Sequence, residues 1–187
     1  MLQVFLFKTI YFWIIGFFLA ILEIQIEGEF GWAEKLPTWR AKPGGKLDKI
    51  FKKVSSNKDL TGYHTALMVF LLLFAHWPFV WNWHWTVWQE LELLSIYVLF
   101  CTVWDFLWFV LNPKLSLRKF GPERVWWHKK WFGKFPVDYY YSVLISVVLL
   151  LPEICVFGSC GWWKVLVLLG VNFVLTTLTI VFYPKAY

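Results

Sequence analysis

Two of the four histidines and several carboxylates sit in or beside long apolar runs of the chain. Asp105 lies within WDFLWFVLNP, Trp104 to Pro113; Glu23 and Glu27 are four residues apart at the end of the first apolar run; His64 opens the second; His128 falls in VWWHKKWF. Imidazole and carboxylate groups projected from different helices are the donor set of metal sites built inside helix bundles, and they suit zinc, iron or manganese. The expected ligands are His64, Asp105, His128 and Glu27, with Glu23 as a second carboxylate. Asp105, His64 and Glu27 are also the candidate catalytic groups, because a divalent ion held among them would supply a Lewis acid or an activated water.

Helical spacing adds a polar lining to that set. Counting about 100° per residue from Glu90, Tyr97 falls about 20° away, Asp105 about 60° and Asn112 about 40°, whereas Glu92 points the opposite way. These four groups form one stripe, which is expected to face the interior because polar groups turned toward hydrocarbon stay unsatisfied. Asn112 and Pro113 end the run, which puts Asp105 roughly 10 Å inside it and out of reach of the head groups. Asp138 and Ser142 begin the fourth run, and Asn172, Thr176 and Thr179 share a face of the fifth. Polar groups of this kind serve one of three ends: hydrogen bonds from helix to helix, a metal or acid/base site, or a path for ions or protons.

The elements that must position these side chains follow from composition. Residues are 59% hydrophobic and only 16% charged, a balance that excludes an ordinary soluble domain. The charges are clustered, leaving five windows long enough to cross about 30 Å of hydrocarbon, near Gln3 to Glu27, His64 to Val80, Gln89 to Asn112, Tyr139 to Phe157 and Trp163 to Tyr183. Continuous apolar runs without alternation favour helices over a membrane barrel. The fold class expected is thus all-α, a single transmembrane domain over 1–187. Pro78 is expected to bend or end the second span. The first span lacks a basic leader and a small-residue cleavage pattern, so it is expected to be retained, with Lys8 snorkelling outward.

Most of the 18 Lys and Arg fall in two loops, 28–63 and 113–138. The positive-inside rule then predicts both loops and the C-terminus in the cytoplasm and the N-terminus outside, in a plasma or inner membrane. A net charge of +6 is explained by attraction of these loops to anionic head groups, without nucleic acid. Within the first loop, Lys46 to Val54 reads as a basic amphipathic helix, and GWAEKLPTW as either a lid or a tryptophan-anchored linker. VWWHKKWF is expected to rest in the interface as a short amphipathic helix. Opposite the loops, His76, His84 and Glu90 lie among five tryptophans, the pattern of an aromatic belt. Cys155 and Cys160 are close enough in sequence for a bridge, and Cys101 reads as a packing residue.

The chain has no HExxH, no phosphate loop, no GxGxxG, no CxxC and no GxSxG. What remains is a membrane-embedded enzyme, metal-assisted or acid/base, acting on a lipid or isoprenoid-like substrate. The alternatives are a small channel or transporter, and a non-catalytic subunit that packs against other membrane chains or against copies of itself.

Overall fold

A backbone surrounded by hydrocarbon must satisfy its own polar groups, and a helix does so within a single segment. In the computed structural model, which describes residues 2–55, 58–82, 84–115, 117–157 and 162–183, the apolar runs are helices α1 (Leu2–Glu27), α3 (Gly62–Asn82), α4 (Val87–Leu111), α5 (Val137–Phe157) and α6 (Trp162–Phe182). Each of these five is long and apolar enough to cross a membrane. Side chains such as Phe7, Leu166, Phe173 and Phe182 stand more than 70% exposed, as lipid-facing residues do. The chain is therefore a helical membrane protein. The short α2 (Lys46–Val54) lies between α1 and α3 and leaves Leu47 and Ile50 exposed, one turn apart, in the manner of a helix lying along an interface. Hydrogen bonding to Lys52, and next to the Gly44 N–H, holds the Asp48 carboxyl of α2 below its ordinary range.

α4 is the helix around which the others are arranged. It touches α1, α3, α5 and α6, and its buried residues include Ser95, Ile96, Leu99, Phe100, Trp104, Leu107 and Trp108. Gly16 lets α1 come close to it: a Cβ there would stand 3.4 Å from the Phe100 ring. Small residues at such crossings permit the backbone approach that drives packing in lipid. Beyond α4 the chain passes through a short 3-10 turn, Leu117–Lys119, and then a two-residue hairpin, β1 (Trp131–Phe132) and β2 (Phe135–Pro136), before entering α5.

Three local expectations are corrected. α3 continues through Pro78 to Asn82, and α5 likewise contains Pro152; losing one backbone donor does not end a long membrane helix whose neighbours help satisfy the freed group. Lys8 does not snorkel alone, since its Nζ is 2.7 Å from Glu92. VWWHKKWF is not an interfacial helix. Its chain turns through backbone bonds from Val125 N–H to Gly121 and from His128 N–H to Val125, and enters β1, which buries Trp127 and His128. Trp127 stacks on Phe109 of α4 at 5.6 Å, a burial that a helix resting in the interface would forgo. Cys160 lies outside the described residues, as does any bridge from it to Cys155.

At the end of the bundle away from the basic loops, Lys164 of α6 closes an ion cluster. Its Nζ stands 2.6 Å from Glu153 and 2.8 Å from Glu92, which also binds Lys8, so α1, α4, α5 and α6 meet on these charges. Lys164 is buried, and removing it takes the cation from Glu153 and leaves Glu92 with Lys8 alone, in a poorly solvated place. Lys164→Met is expected to lower the free energy of unfolding in detergent by about 3–5 kcal/mol, the range for breaking a buried pair. An unfolding midpoint equal to that of the parent would show that the cluster is solvated and idle.

Candidate functional site

Glu23 and Glu27 share a face at the end of α1, as their spacing requires, and both are buried. The helix stops at Gly28, whose φ of +66° suits a residue without a Cβ, while its N–H bonds the Ile24 carbonyl at 2.9 Å. Asn112, at the end of α4, donates to the Gly28 carbonyl at 2.8 Å and fixes the turn. The chain then folds back through three more left-handed residues, Gly31, Trp32 and Ala33. For the last two, side chains make that conformation cost about 1–3 kcal/mol each. The cost is offset by what the turn achieves: the Ala33 N–H donates to Glu27 Oε1, and Trp32 lies flat on the His64 ring, centroids 4.1 Å apart. The Trp32 indole N–H donates to the Asp59 carbonyl at 2.8 Å, and Arg40 donates to the Ala33 carbonyl. GWAEKLPTW thus begins as a packed cover over the histidine.

His64 is held from the other side. Residues 38–41 pair with 60–63 through Ala41 N–H to Leu60, Gly62 N–H to Trp39, and Tyr63 N–H to Thr38 Oγ1, which anchors the start of α3. Thr61 Oγ1 stands 2.8 Å from Nδ1 of His64, leaving Nε2 as the nitrogen that faces the carboxylates. Nε2 is 3.5 Å from Glu23 Oε1 and 3.5 Å from Glu27 Oε1. That is long for a hydrogen bond to a charged oxygen. It is close to the edge of a tetrahedron, about 3.4 Å, around a metal whose bonds to nitrogen and oxygen are about 2.0–2.1 Å. All three ligand atoms lie within 4.8 Å of one another. The Trp104 indole N–H is turned toward Glu23 but closes no hydrogen bond among the described residues.

A second cluster adjoins the first. Asp105 Oδ2 is 3.1 Å from His128 Nε2 and accepts a hydrogen bond from the Tyr139 hydroxyl. The other nitrogen of His128, Nδ1, is 3.1 Å from Asp138. Lys58, buried although it belongs to a basic loop, places Nζ 3.0 Å from Asp138, 3.9 Å from Asp105 and 4.7 Å from the centre of the Trp32 ring. His128 thus has a carboxylate at each of its ring nitrogens. Asp138, His128, Asp105 and Tyr139 form a continuous chain of hydrogen-bonding groups along which a proton can be held or passed.

The structure divides the five expected ligands into two groups, Glu23, Glu27 and His64 in one and Asp105 with His128 in the other. Asp138 joins the second. Among the lining residues, Asn112 serves the turn at Gly28, and the Ser142 hydroxyl bonds back to the Asp138 carbonyl. Asn172 bonds its own helix at Leu168, and Thr176 accepts from Trp13. Glu90 and Tyr97 do not reach the site. Glu90 binds His76 and Trp85 near the far end of α4, and the Tyr97 hydroxyl donates to the Met68 carbonyl. A shared helix face does not bring them together, since Glu90 and Asn112 are separated by roughly 33 Å of helix. Lys58 and Thr61 were not expected here, and Trp32 only as part of GWAEKLPTW in its reading as a lid. Lys58 is one of eight basic residues in its loop, and nothing in the sequence sets it apart from the solvated ones.

No family model matches this chain, and neither the curated proteins nor the solved structures provide a similar one.

The cover over His64 gives a direct test. At Gly31 a Cβ would stand 2.4–2.9 Å from the Trp127 indole, whereas at Gly28 it would meet nothing within 4 Å. Both glycines have positive φ, so Gly28→Ala is expected to cost about 1–2 kcal/mol for conformation alone. Gly31→Ala should cost clearly more, measured as the difference in denaturation midpoint between the two variants. Equal losses would mean that Trp127 yields freely and does not brace the cover.

Proposed function

We propose that this protein is a membrane-embedded enzyme in which Glu23, Glu27 and His64 hold a divalent metal, zinc, iron or manganese, beside a proton-carrying chain of Asp138, His128, Asp105 and Tyr139. Its substrate is lipid or isoprenoid-like. The observation that carries this is the position of His64 Nε2, equally far from two buried carboxylate oxygens and at metal-edge rather than hydrogen-bond distance. Two buried carboxylates with one imidazole between them also leave negative charge that a cation would neutralise. Thr61 on Nδ1 has the role of the outer partner that orients a metal-bound histidine.

The ion would supply a Lewis acid or an activated water. Asp105 and His128, tied to each other, to Tyr139 and to Asp138, are better suited to moving protons than to binding the ion, because both nitrogens of His128 already face carboxylates. Lys58 offsets the charge of the two aspartates. Tyr139 also lines a cavity between α4, α5 and α6, so one residue joins that cavity to Asp105.

A site open to one side of the membrane is favoured over a conducting path. Between Glu92 and Asp105, roughly 20 Å apart along α4, the helix carries Ile96, Leu99 and Phe100, each under 5% exposed. Such a dry stretch opposes ion passage. Basic residues concentrated in the two loops support an orientation with these loops and the C-terminus in the cytoplasm, the N-terminus outside, and the chain in a plasma or inner membrane. Anionic head groups are then the natural neighbours of the loops.

Elemental analysis of the detergent-purified protein tests the metal assignment. About one divalent ion per chain is expected, lost in Glu23→Gln and His64→Ala and retained in Asp105→Asn. An ion lost in Asp105→Asn as well would return Asp105 to the ligands. No ion in the folded parent, after metals are added back, would overturn the metal assignment.

A further inference from the structure

An apolar cavity lies between α4, α5 and α6 and is lined in part by Tyr139, whose hydroxyl bonds Asp105. It has a volume of about 580 Å³ and is bounded by Leu99, Val103 and Phe106 of α4, Val143 of α5, and Leu169 and Thr177 of α6, with Phe135 of β2 at one end. Several rim residues are exposed on the face that α5 and α6 turn to the lipid, among them Val143, Tyr140 and Ile180.

Its placement along the helices identifies what fits it. Leu99 is midway along α4, twelve residues from either end. Leu169 and Ile180, which mark its extent on α6, are separated by roughly 16 Å of helix. One leaflet of a hydrocarbon layer of about 30 Å is about 15 Å deep. The groove therefore starts at mid-bilayer and runs to the end of the bundle that carries the basic loops. There it meets Tyr139, whose hydroxyl bonds Asp105, and the hairpin whose turn presents the exposed Lys134 next to Phe135.

We infer that this groove takes a single acyl or prenyl chain of an anionic lipid from the leaflet on the basic-loop side, tail toward Leu99 and head group between Tyr139 and Lys134. The inference rests on the lipid enzyme proposed above and narrows its substrate to a lipid of one leaflet with a negatively charged head. Apolar walls fix the chain, and Tyr139 lines the groove while its hydroxyl bonds Asp105 of the proton chain. Depth in the groove would set which bond of the lipid reaches that hydroxyl.

Photolabelling of the full chain in vesicles tests this. Phosphatidylglycerol carrying a diazirine at the end of one acyl chain is reconstituted with the protein, illuminated, and the labelled peptides are mapped. Labelling concentrated at Leu99, Val103 and Leu169 is expected, well above that at Leu73, a lipid-facing residue of α3 at similar depth. In Thr177→Trp, which fills the groove, labelling at the three positions should fall to the Leu73 level. The same probe with a phosphatidylcholine head should label about fivefold less, the ratio that corresponds to about 1 kcal/mol for one basic residue near the surface, and Lys134→Ala should remove this difference. Uniform labelling of groove and Leu73 would overturn the chain site; equal labelling by the two head groups would overturn the anionic lipid. Metal content measured on the same samples separates the two proposals: an ion lost in His64→Ala with groove labelling unchanged leaves the metal site and the lipid groove independently supported, whereas labelling without any ion in the parent sinks only the metal.

Discussion

A charge taken out of water must find its compensation nearby, and in this bundle nearly every deep contact outside the apolar core answers that demand. Asp105 is the clearest instance. Lys58 reaches it from the loop before α3, His128 from the segment before the hairpin, and Tyr139 from α5. None of the three would be drawn to that spot by apolar packing alone. Their convergence fixes how the loops lie on the helices, and hence how Trp32 comes to rest on His64. At the far end Lys164 does the same for Glu92 and Glu153. Burying a pair seldom adds much stability over an apolar substitute, but losing one partner is severe. The two clusters thus act as constraints on arrangement at each end of α4.

Between these clusters the chain is held by ordinary membrane packing. Apart from its few acids α4 is apolar and mostly enclosed by other helices, whereas α6 is equally apolar and mostly exposed, as a lipid-facing helix is. The two are alike in composition and opposite in environment. A helix that is hydrophobic all round is either central or lipid-facing, and nothing in its own residues distinguishes the cases.

That ambiguity marks the limit of what the residues disclose. The five long helices and α2 are legible because length and apolar continuity are properties of a segment by itself. The pairing of Glu23 with Glu27 is legible for the same reason, through helical spacing. Contacts that join distant segments are not. Lys58 looks like any other loop lysine, and Lys164 like any other lysine at a helix end, until the acids they meet are known. VWWHKKWF resembles an interfacial helix because its burial depends on Phe109 and Asp105, supplied from another part of the chain. Glu90 and Tyr97 share a face with Asp105, but direction around a helix carries no information about depth along it.

The left-handed turn at Gly31, Trp32 and Ala33 bears on how the protein is built as well as how it is held. Its brace, Trp127, and the partners of Asp105, His128 and Asp138, are all supplied by chain made long after α1. During synthesis α1 and α3 would be made before α4, the helix that both of them touch, so Glu23, Glu27 and His64 would for some time be uncovered. The turn has little reason to persist until α4 and the segment behind it arrive. Closure of the cover is then a late event in maturation, and a newly made chain would pass through an interval in which the carboxylates of α1 and the imidazole of α3 are open to their surroundings before they are sealed.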